Sequence, residues 1–91
     1  MAMLRIFLEN HGETSIVRIE GKFAGPESFN YVSKLIQGLP PNRVVVDLSE
    51  VIYVDAEGEE ALFWLSQIGV FFKATSYYTI EICRRLCLKM A

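Results

Sequence analysis

Residues 43–65, "RVVVDLSEVIYVDAEGEEALFWL", contain two apolar runs that each stop at an aspartate. The run 44–46 consists of valines and ends at Asp47, and the run 51–54 ends at Asp55. Three glutamates follow within four residues, at 57, 59 and 60, and an apolar segment with helical spacing comes after them. This stretch predicts a buried strand, a turn and a helix with an unusually acidic beginning.

The valines indicate where this strand lies in the sheet. Three consecutive β-branched apolar residues are typical of a parallel strand covered on both faces by helices, so we expect a central strand over 43–48. Asp55 is placed to cap a helix over 56–68. The predicted inward stripe of that helix is Ala61, Leu62, Leu65 and Ile68.

The flanking segments complete an alternating pattern of strands and helices. Residues 3–9 and 14–21 alternate in hydropathy across a glycine-containing turn, which predicts a β-hairpin. An amphipathic helix over 26–38, a strand over 70–74 and a final helix over about 77–90 follow. The final helix is predicted to bury Ile80, Cys83, Leu86, Cys87 and Met90. The order β-β-α-β-α-β-α predicts an α/β fold with a four-stranded mixed sheet, an N-terminal β-hairpin and about three helices.

Composition limits the classes of function. The 91 residues predict one domain over 1–91, and the 52% hydrophobic content can fill its core. The net charge of −2 argues against a nucleic-acid binder, which would carry a basic stripe. No apolar run approaches the roughly 20 residues of a membrane span, and the first residues lack a signal-peptide pattern. We therefore expect a cytoplasmic protein.

The cysteines do not predict a metal site. Cys83 and Cys87 are four residues apart, and the single histidine, His11, is far away in sequence, so the ligands of a zinc site are not assembled. The simpler interpretation is two small apolar side chains on one face of a helix. No metal and no cofactor are predicted.

Electrostatics explains part of the acidic helix beginning. A helix N-terminus carries about half a positive charge and unpaired N–H groups. Asp55 as the cap and Glu57 in the first turn satisfy that end. The remaining carboxylates, Glu59 and Glu60, are more than the helix dipole needs.

Residues 44–62, "VVVDLSEVIYVDAEGEEAL", resemble the STAS domain, named for sulphate transporters and anti-sigma factor antagonists. The family signature is a hydrophobic strand, Asp-Leu-Ser, a few apolar residues, and then Asp-Ser-Ser-Gly or a variant that begins a helix. Residues 47–49 and 54–58 match it in type and spacing. The resemblance implies a single STAS-like domain over most of the chain, with a C-terminal helix that is short for the family.

In anti-sigma factor antagonists of this family, the second residue after the aspartate is a serine that a partner kinase phosphorylates. That kinase is also the anti-sigma factor, and phosphorylation releases the antagonist from it. The resemblance places Glu57 at this position, and Ala56 also lacks a hydroxyl. The phosphorylation switch is therefore absent, or fixed by the charge of Glu57. Ser49 is a nearby hydroxyl, which we expect to hydrogen-bond the turn backbone rather than to carry phosphate.

An enzyme is not predicted. His11 falls in a turn, Asp47 and Asp55 suit a strand end and a helix cap, and "EGKFAG" lacks the spacing of a phosphate loop. A protein-binding module fits better. On the second helix Glu57, Glu60 and Trp64 share a face, with Phe63 beside them. The alternative is that Phe63 and Trp64 widen the buried stripe.

The predicted partner-binding residues are Ser49, Asp55, Ala56, Glu57, Gly58, Glu60 and Trp64. The resemblance implies an anti-sigma factor or kinase-like partner and a role in partner-switching regulation of transcription. Two alternatives stay open. One is a small STAS-like subunit of an ABC-type membrane transport assembly, which would bind the transporter ATPase or permease without entering the membrane itself. The other is a homodimer that uses the same helix face.

Overall fold

The computed structural model describes residues 4–91, so Met3, which the sequence places in the first strand, lies outside the described residues. The elements are strands β1 (Arg5–His11) and β2 (Thr14–Phe23), helix α1 (Ser28–Leu35), strand β3 (Val44–Val54), helix α2 (Ala56–Gln67), strand β4 (Phe71–Lys73) and helix α3 (Tyr77–Leu86). A 3-10 turn, Pro41–Arg43, precedes β3. The predicted order of elements is confirmed.

The strands form one mixed sheet in the order β1-β2-β3-β4. β1 and β2 are an antiparallel hairpin whose two-residue turn contains Gly12 at φ +66°, and β2, β3 and β4 run parallel. Both crossovers between the parallel strands step in the same direction across the sheet. Right-handed crossovers of this kind place their helices on the same face. The predicted mixed sheet with an N-terminal hairpin is therefore confirmed.

The core lies between that face of the sheet and the three helices. Its buried side chains include Val17, Ile19, Val44, Val46, Leu48 and Phe72 from the strands, and Val32, Leu62, Leu65 and Ile82 from the helices. Ile68, predicted to complete the stripe of α2, is 48% exposed because α2 ends at Gln67. The remaining predicted stripe of α2 is buried.

The other face of the sheet is open to solvent in the part of the chain from 4 to 91. Ile16, Val45 and Phe71 are neighbours across three strands on this face, and each is only half-buried. Val44 and Val46 point into the core, whereas Val45 does not. The prediction of a central strand is confirmed, but the prediction of burial on both faces is wrong. β-branched residues also suit a pleated surface that is half-exposed.

β3 continues to Val54, six residues beyond its predicted end. Asp47 does not end the strand because it lies on the open face, between Arg18 of β2 and Lys73 of β4. The pairing with β2 then shifts by one residue, so that Leu48 and Ser49 together oppose a single residue. This is a β-bulge, which bends the strand without ending it.

α1 begins two residues later than predicted. Gly25 takes φ +92°, and its carbonyl accepts hydrogen bonds from the N–H of Ser28 (3.3 Å) and from the Ser28 hydroxyl (2.9 Å). Residues 25–27 therefore form a turn, and the helix starts at Ser28. It ends at Leu35, three residues before the predicted end.

α3 ends at Leu86 rather than near residue 90, because the next residue turns the chain out of the helix. Cys87 adopts φ +55°, its N–H donates to the Arg84 carbonyl (3.2 Å), and the N–H of Leu88 donates to the Cys83 carbonyl (3.0 Å). This pair of hydrogen bonds is a Schellman motif, with the buried side chains of Cys83 and Leu88 in the usual apolar positions.

Three of the predicted buried residues of α3 are therefore exposed, namely Ile80, Cys87 and Met90. Ile82 and Thr79 take the buried positions instead, because the inward face is set one residue away from the predicted stripe. After the turn the chain follows the edge of β4. Phe72 donates its N–H to the Lys89 carbonyl and accepts from the N–H of Ala91, both at 2.8 Å.

Candidate functional site

The loop after β2 and the beginning of α2 meet at the carboxyl ends of the parallel strands, and Asp55 joins them. Its Oδ1 accepts the N–H of Gly58 (2.7 Å), and its Oδ2 accepts the N–H of Gly25 (3.0 Å). The first bond is an N-cap and confirms the predicted capping role of Asp55. The second bond fixes the preceding loop against the helix, which no local sequence pattern indicated.

Gly58 is buried and lets α2 approach the end of β2. A Cβ atom at this position would lie 2.1 Å from the Phe23 carbonyl oxygen and 2.9 Å from Cγ1 of Val54. The Phe23 carbonyl and such a Cβ atom could be accommodated together only if α2 moved away from β2. The role of Gly58 is therefore to set the position of α2, and a buried glycine does not itself contact a partner.

The three glutamates of α2 have different roles. Glu59 makes a bidentate ion pair with Arg85 of α3, at 2.9 and 2.6 Å. The hydrogen bonds from Arg85 hold the pKa of the Glu59 carboxyl below its ordinary value. Glu57 and Glu60 are exposed and make no ion pair within residues 4–91. Of the three glutamates, Glu59 therefore links two helices, and Glu57 and Glu60 are left as exposed carboxylates.

The exposed side of α2 carries two aromatic residues next to those carboxylates. Trp64 is 52% exposed and Phe63 is 37% exposed, and their rings meet edge to face with centroids 5.5 Å apart. The alternative that these rings widen the buried stripe is wrong, since both remain at the surface. We name this region the α2 surface, and it consists of Ala56, Glu57, Glu60, Phe63 and Trp64.

Ser49 lies apart from the α2 surface. It is in the bulge of β3, where Oδ1 of Asp47 accepts both its N–H (2.9 Å) and its hydroxyl (2.5 Å). The prediction that the Ser49 hydroxyl bonds the turn backbone is therefore wrong, because it donates to the side chain of Asp47 instead. Asp47 belongs to the open face of the sheet, opposite the helices, so Ser49 and α2 are on different sides of the molecule.

Sequence reasoning missed a contact at the same end of the sheet. The Tyr78 hydroxyl accepts the N–H of Val54 (2.8 Å) and donates to its carbonyl (3.3 Å), which fastens α3 to the end of β3. Ile52, Tyr53 and Tyr77, which are close in sequence to these two residues, are exposed, Tyr77 to 90%. The signal in the sequence was weak, because the predicted strand ended at residue 48 and the bulge that continues it through "VIYV" was not foreseen.

Within residues 4–91, no group of three or more acidic, histidine or cysteine side chains is arranged to hold a metal ion. Cys83 is buried, which raises the pKa of its thiol, and Cys87 is exposed. No helix in the same part of the chain is long and apolar enough to cross a membrane.

The elements described above define a class of fold. A mixed four-stranded sheet with an aspartate-capped helix at the carboxyl ends of its strands is a STAS-like fold. The fold that residues 44–62 resembled is therefore the fold of the chain.

Solved structures share this fold. An anti-sigma factor antagonist from Mycobacterium paratuberculosis is 20% identical and superposes with a TM-score of 0.75, over 91% of this chain and 77% of that one. A DUF3478-family protein with a SpoIIAA-like fold, from Shewanella loihica PV-4, is 12% identical with a TM-score of 0.59, over 93% and 77% of the two chains. A protein designated Mglu is 21% identical with a TM-score of 0.55, over 77% of this chain and 19% of that one. At these identities the similarity establishes the fold. No protein-family model and no curated protein sequence matches the chain.

Proposed function

We propose that this chain is a non-enzymatic protein-interaction module, similar in role to anti-sigma factor antagonists, that binds its partner through the α2 surface. The observation that supports this most strongly is the exposed pair Phe63–Trp64 beside the unpaired carboxylates of Glu57 and Glu60. Exposed tryptophan is the residue type most often found as an interface anchor. Asp55 and Gly58 hold the helix rigidly, which keeps the ordering cost of binding low.

The partner we propose first is an anti-sigma factor, an ATP-binding kinase-like protein, in cytoplasmic regulation of transcription. Support comes from the resemblance of residues 44–62 and from the shared fold with a protein described as an anti-sigma factor antagonist. The free acidic side chains favour a partner surface that carries arginine or lysine around an apolar pocket.

Glu57 gives this proposed module its particular character. It is exposed in the first turn of α2, at the position that the resemblance assigns to the phosphorylated serine. A glutamate carries one negative charge at neutral pH, whereas a phosphoserine carries about 1.5 to 2. We propose that Glu57 removes the phosphorylation switch, and that its single charge, smaller than that of a phosphoserine, lowers the affinity for the kinase-like partner without abolishing it.

The other predicted partner-binding residues contribute unequally in this proposal. Ala56 and Glu60 are exposed on the α2 surface and contact the partner directly. Asp55 and Gly58 act by positioning the helix. A partner that also contacts Ser49 has to reach around the end of the sheet, because Ser49 bonds to Asp47 on the open face.

Affinity purification from the native cell tests this function. Wild-type bait is compared with Trp64→Ala and with Tyr31→Ala, a matched control because Tyr31 is 47% exposed on α1. The proposal predicts a protein that is captured by wild type and Tyr31→Ala and lost with Trp64→Ala. A Glu57→Ser bait, which restores the hydroxyl, is expected to bind an anti-sigma kinase more tightly and to become phosphorylated.

The identity of the captured protein separates the remaining alternatives. An ABC-type ATPase or permease would establish a transport-assembly subunit that uses the same surface. A second copy of the chain, lost with Trp64→Ala, would establish a homodimer through α2. Equal capture of every protein by all the baits would remove the α2 surface as a binding site.

A further inference from the structure

β1 is an edge strand with a free side. It pairs with β2 along its whole length, and within residues 4–91 no strand pairs with its outer side. In a two-residue hairpin the closing pair, here His11 and Thr14, exchanges both backbone hydrogen bonds. Along β1, residues that bond to β2 alternate with residues whose N–H and C=O groups point away from β2. The free donors and acceptors therefore belong to Ile6, Leu8 and Asn10.

The side chains of β1 are arranged symmetrically about Phe7. On the open face of the sheet, Arg5 lies two residues before Phe7 and Glu9 two residues after it. The Arg5 guanidinium lies over the Phe7 ring, 5.6 Å from its centroid, and makes no ion pair within residues 4–91. On the helix-facing side, Ile6 and Leu8 flank Phe7 and are half-buried. Edge strands are commonly protected by charges, but here the two charges have opposite sign and equal spacing.

This arrangement is complementary to itself in a register centred on Phe7. In an antiparallel copy centred on Phe7, Arg5 stands opposite Glu9 of the second copy, twice by symmetry. The two Phe7 rings face each other, and Ile6 stands opposite Leu8 of the second copy. Shifting the centre to Leu8 would place Phe7 opposite Glu9 and Arg5 opposite His11, which loses both the charge pairs and the aromatic pair. Glu9 is free to exchange partners, because its contacts to His11 and Arg18 are exposed ion pairs.

We propose that the outer edge of β1 is a self-association site, at which a second copy of this chain pairs antiparallel about Phe7 and joins the two four-stranded sheets into one. A groove of about 460 Å³ adjoins this edge on the helix side, lined by Leu4, Ile6, Lys22, Ala24, Tyr31 and Leu35. The second copy borders the groove and covers apolar side chains that are exposed in the single chain. None of these residues belongs to the α2 surface, so the site is independent of the proposed partner binding.

Charge exchange tests the proposed register. The dimer dissociation constant is measured by sedimentation equilibrium over a wide concentration range for wild type, Arg5→Glu, Arg5→Glu/Glu9→Arg and Arg84→Glu. Arg5→Glu should weaken association about tenfold or more, because two attractive cross-strand pairs become repulsive. The double variant should return to within about threefold of wild type. Arg84→Glu makes the same change of net charge on α3, at a side chain that is 76% exposed, and should leave association unchanged.

Cysteine cross-linking tests the same geometry without relying on charge. In a Cys87→Ser background, which removes the exposed native thiol, Phe7→Cys should form an intermolecular disulfide rapidly. Residues opposite each other in a non-hydrogen-bonded pair have Cα atoms about 4.5 Å apart, within disulfide range. Asn10→Cys should not cross-link, because its two copies would be about 20 Å apart.

Either of two results would overturn the proposal. One is a wild-type chain that stays monomeric at the highest concentration and a Phe7→Cys variant that cross-links no faster than Asn10→Cys. The other is a dimer that Arg5→Glu and Arg84→Glu affect equally, which would place the interface elsewhere, including on α2. Circular dichroism of each variant confirms that it is folded before either result is read.

Discussion

Asp55, Gly58 and Glu59 lie within five residues of one another, and the fold uses each of them differently. Asp55 joins the loop after β2 to the first turn of α2 through its two carboxylate oxygens. Gly58 permits close contact between α2 and β2, and Glu59 binds Arg85. Glu57 and Glu60, which make no ion pair with the described residues 4–91, are the side chains on which we place partner binding.

Gly58→Ala should destabilise the fold by about 2–3 kcal/mol, the cost of overpacking at a site where the obstacle is backbone. The loss is expected although alanine favours helix over glycine by about 1 kcal/mol. Urea unfolding measures it, with Glu57→Ala as a neighbouring helix substitution that should cost less than about 1 kcal/mol. A Gly58→Ala variant as stable as wild type would mean that α2 is not packed against Phe23 as described.

The two cysteines should differ in reactivity. Cys83 is buried, with a thiol pKa raised by that burial, whereas Cys87 is exposed in the turn after α3. A thiol reagent such as dithionitrobenzoate is expected to modify one thiol per chain quickly in the native protein and both after unfolding. Cys87→Ser should abolish the fast reaction. Fast loss of both native thiols would show that α3 is not docked on the core.

At the scale of elements, the sequence predicted which segments are helices and strands better than where they end. The beginning of α2 was predicted because its cap, Asp55, is local. The end of β3 was not, because the bulge at Ser49 depends on pairing with β2. The end of α3 was missed because the left-handed residue of its Schellman motif is Cys87, where glycine would have been the usual signal.

The ion pair between α2 and α3 should make stability depend on pH. The folded-state pKa of Glu59 is lowered by Arg85, so the carboxylate form stabilises the fold above the ordinary pKa of glutamate. This contribution is lost as the pH falls through the folded-state pKa. Glu59→Gln should therefore destabilise the protein at neutral pH and converge with wild type in acid, as followed by urea unfolding across pH.

Glu60→Gln is the matched control for that series, because Glu60 makes no ion pair within residues 4–91. Its unfolding free energy should stay close to that of wild type at neutral pH. If Glu59→Gln and Glu60→Gln have the same pH profile, the Arg85 contact does not stabilise the fold.

At the scale of the whole molecule, helical periodicity was sufficient to predict one face of α2. Glu57, Glu60 and Trp64 were predicted to share a face, and all three are exposed on it. The three valines were read as a strand covered on both faces, which is wrong because both crossovers step in the same direction and place their helices on one face. Ser49 was grouped with α2 through the family resemblance, although it lies on the opposite side of the sheet.

The most direct test of the central claim is the affinity of the captured partner for Trp64→Ala, measured beside the thermal unfolding of the same variant. Trp64 is half-exposed, so its loss should cost no more than about 1.5 kcal/mol of stability, mainly from the edge-to-face contact with Phe63. As an interface anchor it should contribute about 2 kcal/mol or more to binding, which is a loss of about thirtyfold in affinity. Tyr31→Ala should leave that affinity unchanged. A Trp64→Ala variant that binds the partner as tightly as wild type, or that loses binding only because it unfolds, would contradict the assignment of the α2 surface.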